Sequence, residues 1–210
     1  MTTHCNLSDL SLREAADIVR GGGIIVFPTD TFYGLGACPF DARAVQRIFD
    51  LKGRSFQSAP ILVLVRSRVD LETLVSEITP AAERLMEACW PGPLTLVFRA
   101  AAAVPSVLTA GTGTIGVRLP AHPDVQRLLE AVGGPLTGTS ANCSGQPPAT
   151  TVEDVDRAFG SGVDAILNGG ATPGGLPSTV VDTTVDPPRL LREGRDSTAS
   201  LRTIINSMAA

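Results

Sequence analysis

Four short, mostly apolar runs constrain the fold of this 210-residue chain more than any other feature: Ile24 to Phe27, Ile61 to Val65, Leu94 to Phe98 and Ile115 to Leu119. Each is four or five residues long, contains β-branched side chains and is followed at once by Pro or Arg. That pattern marks buried strands rather than helices. The segments between them carry apolar residues at helical spacing. Ser11-x-x-Glu14 reads as a capping box opening a helix with Leu12, Ala15, Ala16 and Val19 on one face, stopped by Gly21-Gly22-Gly23. Asp41 reads as the cap of a second helix that buries Val45, Ile48 and Phe49 and ends near Lys52-Gly53, and Thr79-Pro80 starts a third.

A helix over 123–132, a helix over 152–159, strands over 164–167, 178–182 and 189–192, and a last helix near 197–207 complete the pattern. Several strands adjoin with no helix between them, so the expected architecture is α/β, a twisted mixed sheet with surrounding helices rather than a regular doubly wound one. No linker, charge block or repeat marks a second unit, and residues 1–210 read as one domain.

The 43% hydrophobic and 18% charged fractions fit a globular chain, and Gly, Pro, Asp or Arg interrupts every apolar run before the roughly 20 residues a membrane helix needs. Met1 to Asn6 lack the basic flank and apolar core of a secretory signal, so the expected location is the cytoplasm, with His4 in a mobile terminus. Cys5, Cys38, Cys89 and Cys143 form no C-x-x-C pair and read as reduced packing residues, with no protein metal site expected. A formal net charge of −4 gives no field to hold a polyanion, so strong direct binding of tRNA is not expected. Sixteen of the seventeen basic side chains are arginine; Lys52 is the only lysine, which suggests a compact ammonium is wanted there.

Neither a Walker loop nor a G-x-G-x-x-G opening a helix can be written, and Gly111-Thr112-Gly113 reads as a turn. The two histidines, His4 and His122, sit in no recognisable catalytic sequence. What remains is a set of polar segments at strand ends, where α/β folds concentrate binding residues. Pro28 to Gly36 follows the first buried run, and Lys52-Gly53-Arg54 suits a polyphosphate or, equally, a solvated helix end. Ser140 to Gly145 offers hydroxyls, an amide and backbone donors for an anion, or simply an Asx/Ser turn. With Thr114, Arg118, Ser178 and Arg192, these loops fit a pocket for a multiply anionic small molecule.

Together the segments resemble the YrdC-type family of threonylcarbamoyl-AMP synthases. Pro28-Thr29-Asp30-Thr31-Phe32-Tyr33-Gly34-Leu35-Gly36 is similar to the family's P-T-[DE]-T-x-Y-G-L-G, Lys52-Gly53-Arg54 to its K-x-R, and Trp90 to Thr95 to its W-P-G-P-L-T. Thr114 to Pro120, Ser140 to Gly145, Pro177 to Asp182 and Leu191 to Gly194 follow in order, so the resemblance spans about residues 10 to 200. It implies a sheet-and-helix fold around a large concave cavity, and an enzyme that joins L-threonine, bicarbonate and ATP into threonylcarbamoyl-AMP with release of pyrophosphate. By the family pattern Lys52 and Arg54 contact the phosphates, Ser140 and Asn142 hold the same region, and Thr114 and Arg192 place the nucleotide; Thr31, Arg118 and Ser178 hold threonine. Mg2+ is expected on the triphosphate, and a tRNA threonylcarbamoyl transferase complex is the expected downstream partner.

The chain departs from the pattern in two places. After Lys52-Gly53-Arg54 it is one residue longer and lacks the first proline, which puts Ser58 in question as a nucleotide contact. It also stops about fifteen residues after Arg195, as the single-domain members do. The alternatives are a carbamoyl-adenylating domain of the hydrogenase-maturation type, whose zinc-finger and acylphosphatase companions have no counterpart here, and a non-catalytic RNA-binding module, against which the acidic charge argues.

Overall fold

The computed structural model describes residues 2–55, 60–195 and 199–208. The elements are β1 (Thr3–Asn6), α1 (Asp9–Arg20), β2 (Ile25–Pro28), β3 (Tyr33–Gly36), α2 (Ala42–Leu51), β4 (Val63–Leu64), α3 (Arg68–Leu74), α4 (Pro80–Cys89), β5 (Leu94–Arg99), β6 (Thr114–Arg118), α5 (Pro123–Val132), β7 (Leu136–Thr137), β8 (Thr139–Ser140), α6 (Val152–Phe159), β9 (Ala165–Asn168), β10 (Thr179–Asp182), β11 (Arg189–Arg192) and α7 (Ala199–Met208). The strands form two mixed sheets, in the orders β1-β9-β2-β3-β8 and β11-β10-β5-β6-β4-β7, where the sequence pointed to one. None of the helices among the described residues is long and apolar enough to cross a membrane.

The seam between the sheets is a single residue wide. β7 belongs to the second sheet and β8 to the first, with only Gly138 between them. A side chain on Gly138 would meet Leu64 at 2.7 Å, so the close approach of the two sheets requires glycine there. Next to it, fully buried Thr137 ties the sheets together: its hydroxyl donates to the Leu35 carbonyl and accepts from the Ala37 N–H, while its own N–H donates to the Ala37 carbonyl.

Local chemistry explains most elements. Asp41 caps α2 by accepting from the Arg43 and Ala44 amides, and α2 buries Ala44, Val45, Ile48 and Phe49. Each of its large apolar side chains contributes roughly 1.5–3 kcal/mol by leaving water. Thr79 caps α4, with Pro80 in the first turn. At α1 the cap is Ser8 and not Ser11: the Ser11 amide donates to the Ser8 hydroxyl at 3.2 Å, and the Ser11 hydroxyl answers the Ser8 amide at 2.9 Å, so Ser11 occupies the third helical position. The amino terminus carries a strand, because Thr3 to Asn6 pair in parallel with Ala165 to Asn168. Only Val63–Leu64 of the run 61–65 pairs as a strand, and Ser67 caps the additional helix α3.

Candidate functional site

The seam opens into a cavity of about 370 Å3 whose wall runs from the β2–β3 turn (Thr29 to Gly34) through Lys52, Arg54, Leu62, Leu64 and Arg118 to residues 138–140, Asn142, Ser144, Ser178 and Arg192. Eight of the nine anticipated site residues line it: Thr31, Lys52, Arg54, Arg118, Ser140, Asn142, Ser178 and Arg192. Thr114 does not. It stands at the start of β6, on the same face as Arg118 but four residues away, roughly 13 Å along a strand, and its hydroxyl pairs with that of Thr112 at 2.9 Å. Ser58 lies outside the described residues. Neither histidine lines the cavity: His4 is on β1, 3.3 Å from Asp156, and His122 is the residue before α5.

Lys52 is delivered by the end of α2 as its C-cap, where a cation is favoured by the helix dipole. The side chain is only 3% exposed, so the ammonium must satisfy its protons within the protein. It donates to the Ser140 carbonyl at 2.5 Å, the Asn142 carbonyl at 2.9 Å and Asn142 Oδ1 at 3.2 Å, while the Lys52 carbonyl accepts from the Ser144 amide at 2.8 Å. An ammonium has three protons, and all three are taken. The loop is locked further by Ser140 Oγ donating to Asn142 Oδ1 at 2.6 Å, and by Asn142 Nδ2 donating to the Cys143 and Gln146 carbonyls. Burial, and then the neighbouring Arg54, pull the Lys52 pKa down to about 8.

Arg54 lies over the Phe49 ring, 5.3 Å from its centroid, and its buried Nε has no hydrogen-bond partner among the described residues. Burial lowers the pKa of Arg54 and of Arg192. Arg192, at the end of β11, donates from Nε and Nη2 to the Ser178 carbonyl and from Nη2 to the Ser178 hydroxyl at 3.3 Å. Gly194 lets the chain cross behind that residue. A Cβ there would sit 2.2 Å from the Pro177 carbonyl oxygen and 2.6 Å from that of Ser178, so any side chain would push Ser178 out of place.

Arg118, 6% exposed, donates from Nε to the Gly92 carbonyl at 2.8 Å and from Nη2 to both carboxylate oxygens of Asp30 at 3.0 and 2.9 Å. Its Nη1 donates to no group among the described residues, leaving one arm of the fork for a ligand oxygen. Among the described residues Asp30 is the only carboxylate lining the cavity, and Arg195 donates to its backbone carbonyl at 2.6 Å. Thr31 is fixed by the Gly174 amide, which donates to its carbonyl, and by the Thr29 hydroxyl, which accepts from its amide.

Sequence reading assigned no role to four residues of this constellation. Asp30 and Thr95 stand inside motifs it singled out, and Arg195 directly follows a third. Tyr33, fully buried, donates from its hydroxyl to the Gly170 carbonyl at 2.7 Å and so fixes the turn. Two other cavities, of about 490 and 770 Å3, lie by Thr79 and Thr183 and by Cys143 and Pro148; the second shares Phe32 and Asn142 with this site. The arrangement suits a small molecule with several anionic oxygens: among the described residues it has four cations, one carboxylate already paired, and several hydroxyls.

The chain is similar to known proteins over most of its length. The Sua5/YciO/YrdC family model, described as telomere recombination, matches residues 17–194. The chain is 43% identical over 188 residues to a threonylcarbamoyl-AMP synthase of Pyrococcus abyssi, covering 90% of this chain and 55% of that protein. It is 41% identical over 158 residues to a threonylcarbamoyl-AMP synthase of Nitrosococcus oceani, covering 75% of this chain and 85% of that one. Among solved structures, P. abyssi Sua5 complexed with L-threonine superposes with a TM-score of 0.92 at 38% identity, over 99% of this chain and 62% of that chain. The chain thus spans a little over half the length of the Pyrococcus relative.

Proposed function

The chain belongs to the Sua5/YciO/YrdC family, and from that membership we propose that it is a threonylcarbamoyl-AMP synthase, converting L-threonine, bicarbonate and ATP to threonylcarbamoyl-AMP, pyrophosphate and water. The observation that carries this reading is the convergence of eight of nine anticipated residues, from six separate segments, on one cavity with four cations and no histidine among the described residues. The threonine amine captures bicarbonate or its CO2 to give a carbamate, with loss of water. A carbamate oxygen then attacks the α-phosphorus in line, and the bond to pyrophosphate breaks. The carbamate brings its own nucleophilic oxygen, so the protein's task is to hold anions in line and spread the developing charge.

In this reading Arg54 and Arg192 take the phosphates, while Lys52 both charges that region and keeps Ser140 and Asn142 in register. The free arm of Arg118 takes the threonine carboxylate, with Thr31 and Ser178 beside it. Thr114 serves the nucleotide only where the ligand extends along the open face of β6. Mg2+ travels with ATP and supplies charge neutralisation. Among the described residues Asp30 is the cavity's sole carboxylate and is paired with Arg118, so phosphate and water rather than a protein cage would complete the ion's shell. The product, a mixed anhydride of the carbamate and AMP, is consumed in the cytoplasm by a tRNA threonylcarbamoyl transferase complex, without a strong hold on tRNA by this chain.

The test is pyrophosphate release by purified protein with ATP and Mg2+, with and without L-threonine plus bicarbonate, and the mass of the adenylate. Release that requires both and yields threonylcarbamoyl-AMP is expected. Dependence on carbamoyl phosphate, or no turnover, would overturn the reading.

A further inference from the structure

Thr95 opens no cavity, yet it sits where two walls of the site meet. The antiparallel register of β5 with β6 pairs Leu96 with Val117 and so carries Thr95 to the end of the ladder that holds Arg118. The parallel register with β10 pairs Thr179 with Leu94 and brings Ser178 alongside. The two hydroxyls lie 2.8 Å apart, with Thr95 4% and Ser178 5% exposed. At such burial each hydroxyl proton needs an acceptor, and an unmet one is costly.

Counting protons and lone pairs fixes the direction of that bond. Thr95 Oγ1 has no hydrogen-bond partner other than Ser178 among the described residues, so its proton has one place to go: onto Ser178 Oγ. Were the bond reversed, the Thr95 proton would be buried without an acceptor. Arg192 Nη2 also points at Ser178 Oγ, at 3.3 Å, and a guanidinium only donates. A hydroxyl oxygen accepts two hydrogen bonds, and both places are then filled. The Ser178 proton is left to the cavity that Ser178 lines.

We propose that Thr95 is a positioning residue that holds Ser178 as an obligate donor, so that Ser178 takes an oxygen of the substrate carboxylate beside Arg118 and cannot accept from the substrate amine. The amine is left to Asp30, the one carboxylate on the wall among the described residues. Orientation of the amino acid is thereby set by the direction of one buried hydrogen bond, before the ligand arrives. This rests on the reading of the site as a threonine site.

The experiment is calorimetric titration of the full chain with L-threonine, alongside the KM for ATP. Thr95→Val, which keeps the shape and removes the proton, is expected to weaken threonine binding about tenfold while the KM for ATP moves less than about twofold. Thr95→Ser is expected to restore most of the affinity. In a Ser178→Ala background, Thr95→Val should add less than about twofold, since both changes remove one contact. Should the valine variant fail to fold, Thr95→Ala carries the same expectation. Equal threonine binding by wild type and Thr95→Val, a Thr95→Ser variant as weak as Thr95→Val, or full additivity with Ser178→Ala overturns the proposal alone. A wild-type protein that binds no threonine overturns the reading of the site and the proposal with it.

Discussion

Two cationic regions of the same cavity are built on opposite plans. At Lys52 the cation makes the wall: all three ammonium protons are given to residues 140–142, and the loop owes its shape to them. At Arg118 the wall makes the cation: the Gly92 carbonyl and the Asp30 carboxylate hold the guanidinium through Nε and Nη2, and Nη1 has no partner among the described residues. A cation with its donors satisfied internally contributes charge and shape, whereas one with a donor left over contributes directional recognition. Removing the first should damage the architecture and everything bound to it, while removing the second should damage one ligand selectively.

The largest effect is expected at Arg118. Arg118→Ala should lower kcat/KM for L-threonine on the order of a thousandfold while changing the KM for ATP far less, and Arg118→Lys should recover little, because an ammonium cannot span Gly92, Asp30 and a ligand at once. Equal losses for threonine and ATP in steady-state kinetics would erase the distinction. Lys52→Ala should cost on the order of a hundredfold or more in rate. It should also raise the KM of both substrates and lower stability by on the order of 3 kcal/mol in urea titrations, since three buried acceptors lose their donor. Turnover within fivefold of wild type would remove Lys52 from the mechanism.

A gentler probe uses the fact that the chain contains one lysine. A carbon-13 label at lysine Cε should give one signal in nuclear magnetic resonance with a midpoint near pH 8, and Arg54→Ala should move it upward by removing a like charge. Between about pH 8 and the ordinary lysine value of 10.5, the unfolded chain holds this proton and the folded chain does not, so the Lys52 contribution to stability rises with pH in that window. A midpoint at the ordinary value would mean that the ammonium is solvated and the loop is held by something else. The smallest effect belongs to Thr114→Val, which should raise the KM for ATP by about threefold if the nucleotide reaches along β6. No change would confine the nucleotide to the seam.

The helices and apolar strands were legible because their causes are local. Asp41 and Thr79 announce helix starts by themselves, and the mostly apolar run Leu94 to Phe98 needs no partner to be read as a buried strand. What escaped depends on partners far away in the chain. β1 is Thr-His-Cys-Asn, polar and largely exposed, and it is a strand only because Ala165 to Asn168 lie alongside. Tyr33 to Gly36 carries two glycines and reads as part of a polar binding segment after a strand, yet pairs on both sides with β2 and β8. The two-sheet arrangement hangs on Gly138, whose neighbours in the sequence look like an ordinary polar loop. In the site, spacing brought Lys52 and Arg54 forward correctly as a pair but could not reveal that Lys52 donates to a loop some ninety residues on, or that Arg118 is already held by Asp30. Residue types mark where charge is needed, but which protons remain available is settled only by the fold.

Among the described residues, the lining of Lys52, Arg54, Arg118 and Arg192 against a single Asp30 also bears on how molecules arrive. These five side chains carry a net +3 in a chain of net −4, so the rest of the molecule carries −7. A small multivalent anion drifting nearby is repelled by most of the surface and drawn toward one opening, which narrows its search to a funnel and makes the capture rate fall as salt screens the field. A long polyanion exposes more of its length to that net negative charge than a small anion does, so the same field favours short anions.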